Sequence, residues 1–161
     1  MKFKQISYLK YYKEEVDCYT FLLEAGQGKN INGNMYAILK ELCTNKKYAD
    51  YKVYFVVTND TREALLSRLS FYNFTSVHLV ERNSKEYMRL LATCKYLITD
   101  NSFPPYYIKK KEQVMLNTWH GTPLKTLGRC DIENSSSISN VQKNFAMSDY
   151  ILFPNKYTRD I

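Results

Sequence analysis

Val114-Met115-Leu116-Asn117-Thr118-Trp119-His120-Gly121-Thr122-Pro123-Leu124-Lys125 runs from a short apolar block through a polar turn into a helix start. The apolar block reads as a buried strand. Gly121 lets the backbone turn sharply, Thr122 suits the cap of a helix and Pro123 its first position, where the missing N–H costs nothing. Such a helix aims its free N–H groups at a bound anion, with Lys125 one turn in. An imidazole at His120 titrates close to working pH and can take a proton from an alcohol. A plainer reading stands beside this one: Trp119 and His120 close a strand end, the indole packed on the core and the imidazole bonded to backbone.

The strand, polar end, helix pattern repeats upstream. Tyr19–Leu23 reads as a strand, followed by a loop with Gly26, Gly28 and Gly33 and a helix from about Asn34 to Cys43 with Met35, Ile38, Leu39 and Leu42 on one face. Val53–Val57 is a second strand, and Asp60 or Thr61 can cap a helix carrying Ala64, Leu65 and Leu69. Ser76–Val80 is a third, with Ser84 capping a helix whose apolar face holds Tyr87, Met88, Leu91 and Ala92. Tyr96–Thr99 leads into Asp100-Asn101-Ser102, and Tyr150–Phe153 reads as a last strand after the Val114–Thr118 one. Parallel neighbours need crossover connections, so the alternation predicts an α/β fold. The expected form is a Rossmann-like, mostly parallel sheet with helices on both faces, in one domain over 1–161. Ligands of such sheets sit beyond the carboxyl ends of the strands, where each polar cluster here falls. Residues 1–16 read as a strand, a short amphipathic helix or a linker, and 134–140 as a mobile loop or a helix entry.

The 161 residues, 45% hydrophobic and 24% charged, fit an ordinary globular domain. No apolar run is long enough to cross a bilayer and the start is not a secretory leader, so the expected location is cytoplasmic. Cys18, Cys43, Cys94 and Cys130 are widely spaced, which suggests reduced thiols rather than a zinc or disulfide framework. A net charge of +7 predicts attraction to polyanions: nucleic acid, anionic lipid or a phosphate-rich substrate. The 15 tyrosines are scattered rather than gathered into an aromatic-basic motif, so nucleic acid ranks last and is not expected as a partner.

Two more segments carry chemistry. Glu24-Ala25-Gly26-Gln27-Gly28-Lys29-Asn30 has glycines for close backbone approach and a lysine beside them, which suits a phosphate or polyol. Asn30 after Gly28-Lys29 rules out a Walker A loop, and a flexible turn with a solvated lysine fits the same residues. Asp100 either orients His120 across neighbouring strand ends, binds an acceptor hydroxyl, or caps a turn, the commoner use. Lys109, Lys110 and Lys111 read as a solvated face, and His78 as structural.

Trp119-His120-Gly121-Thr122-Pro123-Leu124-Lys125-Thr126-Leu127-Gly128 resembles the signature of the CDP-glycerol glycerophosphotransferase family, which builds teichoic acids on a two-domain glycosyltransferase-B fold. Lys95–Tyr107 is similar to that family's strand and Asp-x-x-(Phe/Leu)-Pro element, and Glu24–Tyr36 to its early loop, with Gly33 and Met35 replacing Asp and Pro. The resemblance implies the N-terminal, acceptor-side half of such an enzyme. It implies His120 as catalytic base, and Gly28, Lys29, Asn34, Asp100, Trp119, Gly121, Thr122 and Lys125 as substrate-binding residues. It implies CDP-glycerol as donor, a lipid-linked polyol-phosphate acceptor, and no metal or cofactor. It also implies a separate C-terminal donor-binding domain as partner, with a second histidine and basic residues, and a peripheral location at the inner face of an anionic membrane. Without that half the chain is expected not to turn over. Ribitol-phosphate or sugar transfer on the same fold, or a non-catalytic acceptor- or membrane-binding module, are the alternatives.

Overall fold

The computed structural model describes residues 2–119 and 135–160. The chain runs α1 (Lys2–Tyr12), β1 (Asp17–Glu24), α2 (Gly33–Thr44), β2 (Lys52–Val57), α3 (Arg62–Phe71), β3 (Val77–Glu81), α4 (Lys85–Thr93), β4 (Cys94–Thr99), β5 (Val114–Asn117), α5 (Ser135–Met147), β6 (Tyr150–Ile151) and α6 (Lys156–Asp160). The six strands form one sheet in the order β3-β2-β1-β4-β5-β6, and every neighbouring pair is parallel. The α/β, Rossmann-like fold expected from the strand-helix alternation is the one observed.

Strand alternation sorts the core into two layers. Leu22, Val56, Leu97 and Met115 point to one face and pack with Tyr8 of α1 and Tyr87, Leu91 and Ala92 of α4. Phe21, Leu23, Phe55, Val57 and Ile98 point to the other, under Met35, Leu39 and Leu42 of α2 and Leu65 and Leu69 of α3. Right-handed crossovers require this division. The chain moves outward from β1 to β2 to β3, then returns past β1 to β4, so α4 must lie opposite α2 and α3.

Residues 2–12 are a helix, one of the alternatives their composition left open, and α1 is held by the buried Tyr8, whose hydroxyl donates to the Ile108 carbonyl at 2.9 Å. The Ser/Asn-rich stretch becomes the start of α5. Ser84 caps α4 as expected, accepting from the Tyr87 N–H at 3.0 Å. Thr61 stands at the cap position of α3, but its hydroxyl makes no capping bond; it donates instead to the Gly28 carbonyl at 2.8 Å. The last strand ends at Ile151 rather than Phe153. The Leu152 N–H still bonds Asn117, but Pro154 has no N–H with which to continue the ladder.

A charged cluster closes the carboxyl end of β1. Glu24, 1% exposed, accepts from Arg82 Nε at 2.9 Å on one oxygen and from the Tyr87 hydroxyl on the other. These bonds tie β1 to the residue after β3 and to the first turn of α4. Burial pushes the Glu24 carboxyl above its ordinary value, while Arg82 and Tyr87 pull against that rise.

Two stability predictions follow from this frame. Gly28 has φ +87°, and a Cβ there would stand 3.1 Å from the Val57 carbonyl carbon and 3.2 Å from the Thr58 nitrogen. Gly28→Ala is expected to lose about 1–3 kcal/mol in chemical unfolding. A raised carboxyl pKa means that Glu24 contributes stability below its unfolded value near 4.5, lost as pH rises through the folded value. Glu24→Gln lacks that loss, so unfolding measured across the pH range should show it gaining on the wild type as pH rises.

Candidate functional site

The sheet's strand order reverses between β1 and β4, and their loops part there to leave a crevice at the carboxyl edge. A cleft of about 580 Å³ occupies this position. Asn30, Asn32, Gly33, Asn34 and Met35 supply one wall from the β1–α2 loop and the first turn of α2. Asp100 enters from the end of β4, Thr118 and Trp119 from the end of β5, and Leu152, Phe153 and Pro154 from the segment after β6.

Hydrogen bonds between loops hold the walls in place. Asp100 accepts the Gly26 N–H on Oδ1 at 2.8 Å, so the carboxylate fixes the β1 loop across the strand boundary. Gly26 has φ +51°, which a glycine adopts without strain, and a Cβ there would fall 2.4 Å from the Asn30 amide nitrogen. Asn34 donates to the Thr118 carbonyl at 3.3 Å, linking α2 to the end of β5. The buried Asn117 side chain donates to the Asn101 carbonyl and accepts the Trp119 N–H, both at 2.9 Å. That bond holds Trp119 at φ +51°, a costly conformation for a bulky residue. The indole packs on Phe145 of α5 with ring centroids 4.9 Å apart. The chain thus leaves β5 through a kink built into the cleft wall.

Of the residues expected from sequence, Asn34, Asp100 and Trp119 come together around this cleft. Gly28 and Lys29 do not line it. Gly28 turns toward β2, and its carbonyl accepts from the Thr58 N–H and the Thr61 hydroxyl, so it packs two loops together. Lys29 is exposed on the Asp60 side. Asp60 is held below the usual carboxylate range by the Thr58 side chain first, with Lys29 a smaller contribution. His120, Gly121, Thr122 and Lys125, with the expected helix start, lie outside the described residues. Lys110 is not a solvated member of its basic run: its amine donates to the Glu14 carbonyl and lies over the Tyr12 ring. Sequence reasoning missed Asn30, Asn32 and the apolar rim Leu152–Pro154. It missed the Glu24–Arg82–Tyr87 cluster as well, although a carboxylate ending an apolar strand was a usable signal. Among the described residues no helix is long and apolar enough to cross a membrane.

The sequence model of the CDP-Glycerol:Poly(glycerophosphate) glycerophosphotransferase family matches residues 6–161. The teichoic acid poly(glycerol phosphate) polymerase of Bacillus spizizenii is 26% identical over 148 residues, which is 87% of this chain and 36% of that protein. The Staphylococcus epidermidis polymerase is 27% identical over 150 residues, 88% of this chain and 19% of that one. The chain therefore spans about a third or less of the length of these relatives. A solved structure of the wall teichoic acid polymerase TagF superposes with a TM-score of 0.76 at 23% identity, covering 99% of this chain and 39% of that one, and so shares its fold. A switch-point cleft walled by the early loop, by Asp100 and by Trp119, on this fold and with a match from residue 6 to residue 161, places the chain in the CDP-glycerol:poly(glycerophosphate) glycerophosphotransferase family.

Proposed function

We propose that the chain is the acceptor-side domain of an enzyme that transfers glycerol phosphate from CDP-glycerol to a growing, lipid-linked polymer of the teichoic acid type. One observation carries the reading: the three segments that resemble the family's signatures are far apart in sequence yet meet on one cleft at the switch point, through Asn34, Asp100 and Trp119.

Three asparagine amides, Asn30, Asn32 and Asn34, stand in the cleft wall, and such groups suit the hydroxyls of a polyol. His120 follows Trp119 directly in the chain and acts as the base. It takes the proton from the terminal hydroxyl of the acceptor, whose oxygen forms a bond to the β-phosphorus of CDP-glycerol. The bond from that phosphorus to the bridging oxygen breaks, and CMP leaves with its electron pair. Positioning and charge stabilisation carry such a transfer. Gly121, Thr122 and Lys125, which follow His120 in the chain, contribute contacts to the anionic substrate. A C-terminal domain supplies the donor site, no bound cofactor is required, and the enzyme works at the inner face of the membrane where a lipid-linked acceptor is held. A TagF variant soaked with CDPG, which superposes at a TM-score of 0.76, supports the choice of donor.

In the full-length protein, CMP release from CDP-glycerol is expected to depend on a lipid-linked glycerophosphate acceptor. His120→Ala should lower kcat by about 10²–10⁴-fold with an unchanged melting temperature. Undiminished turnover in that variant would remove His120 from the mechanism.

A further inference from the structure

Arg82 follows β3, yet its side chain reaches across the carboxyl end of the sheet to Glu24 at the end of β1. Its start is fixed, because the Arg82 N–H donates to the Val57 carbonyl at 2.7 Å. Its middle is fixed too, by Nε on a Glu24 oxygen whose partner oxygen is taken by Tyr87. The two terminal nitrogens are different. Neither has a hydrogen-bond partner among the described residues, although no enclosed side-chain nitrogen or oxygen there goes unpartnered. The terminal nitrogens therefore reach solvent, and the side chain as a whole is 20% exposed. A guanidinium clamped at Nε and open at its fork is preorganised for two oxygens of an anion.

Its position gives the anion a context. Glu24 pairs with Thr99 across the β1–β4 boundary, so the guanidinium stands where the strand order reverses, on the α4 side. Asp100, next in sequence to Thr99, lines the cleft and lies close enough to raise the Glu24 carboxyl by its charge. Two neighbouring carboxylates thus link the two places: Asp100 lines the cleft, and Glu24 clamps the guanidinium. Burying an ion pair costs desolvation that an apolar pair of the same shape would not, and a cation held open to solvent at the carboxyl end of the sheet is a use that offsets this cost.

We propose that Arg82 binds a phosphate of the acceptor chain beyond the unit whose hydroxyl reacts, with Glu24 as the anchor that holds the guanidinium in place. The inference rests on the transferase reading above, and it names what the acceptor site recognises: hydroxyls in the cleft and a phosphodiester beside it. A polyol-phosphate chain carries one negative charge per unit, so a second contact of this kind favours polymer over a single polyol.

The test is equilibrium binding of synthetic oligo(glycerol phosphate) to the full-length protein at two salt concentrations, for wild type, Glu24→Gln and the double variant Glu24→Gln/Arg82→Gln. Removing both buried charges together leaves no carboxylate stranded in the core. Glu24→Gln keeps an oxygen acceptor for Nε but loosens the anchor, and should bind with a loss smaller than that of the double variant. The double variant should bind about tenfold more weakly and with a shallower salt dependence. Wild-type affinity and salt dependence in the double variant would overturn the assignment. So would an equal loss in Glu24→Gln, because the effect would then belong to the buried cluster. Acceptor-dependent CMP release measured on the wild type reports separately on the transferase reading, since the binding comparison needs no turnover.

Discussion

A parallel crossover closes comfortably in only one hand, because a right-twisted strand feeding a right-handed helix packs back on the sheet that way. In this chain β1, β2 and β3 are laid down outward, and β4 is then placed on the free side of β1. Keeping the hand puts α4 on the opposite face from α2 and α3, so the loops after β1 and β4 diverge. The crevice between them is a consequence of chain order, and the side chains around it exploit a gap the fold cannot avoid. Asp100 spans that gap by binding Gly26, and Glu24 closes the end of β1 by binding Arg82.

Polar groups in the cleft walls are largely occupied with holding one another. Asn117 satisfies both Asn101 and Trp119, Asn34 caps the Thr118 carbonyl, and Asp100 holds the early loop. A polar ligand in such a site meets groups whose positions are already set, so less ordering entropy is lost on binding. The strained Trp119 fits the same logic: the backbone is bent where the chain passes from the sheet into the segment that begins with His120.

Much of this was legible in the sequence because the strands are short and bounded by turn residues. Val53–Val57 and Tyr96–Thr99 read directly as buried strands, and Ser84 as a cap. The α1 helix was ambiguous because, among its described side chains, only Tyr8 is fully buried and lysine and tyrosine are spread around its circumference, so periodicity carried no clear signal. Asp100 was read toward capping or toward His120, and its bond to Gly26 spans 74 positions that local pattern cannot bridge. The same holds for Arg82 and Glu24, 58 residues apart. Gly28 was drawn toward a ligand by its Gly-Lys neighbourhood, whereas its positive φ serves close packing against Val57 and Thr58.

The central claim is that acceptor binds at the carboxyl edge where β1 and β4 part. Hydrogen-exchange mass spectrometry of the full-length protein, with and without a lipid-linked glycerophosphate acceptor, measures this directly. Slowed exchange in the segments holding Gly26–Met35, Asp100–Asn101 and Asn117–Trp119 is the predicted result. Protection confined to the opposite end of the sheet, around Tyr12–Cys18 and Lys110–Glu112, with those segments unchanged, would contradict it.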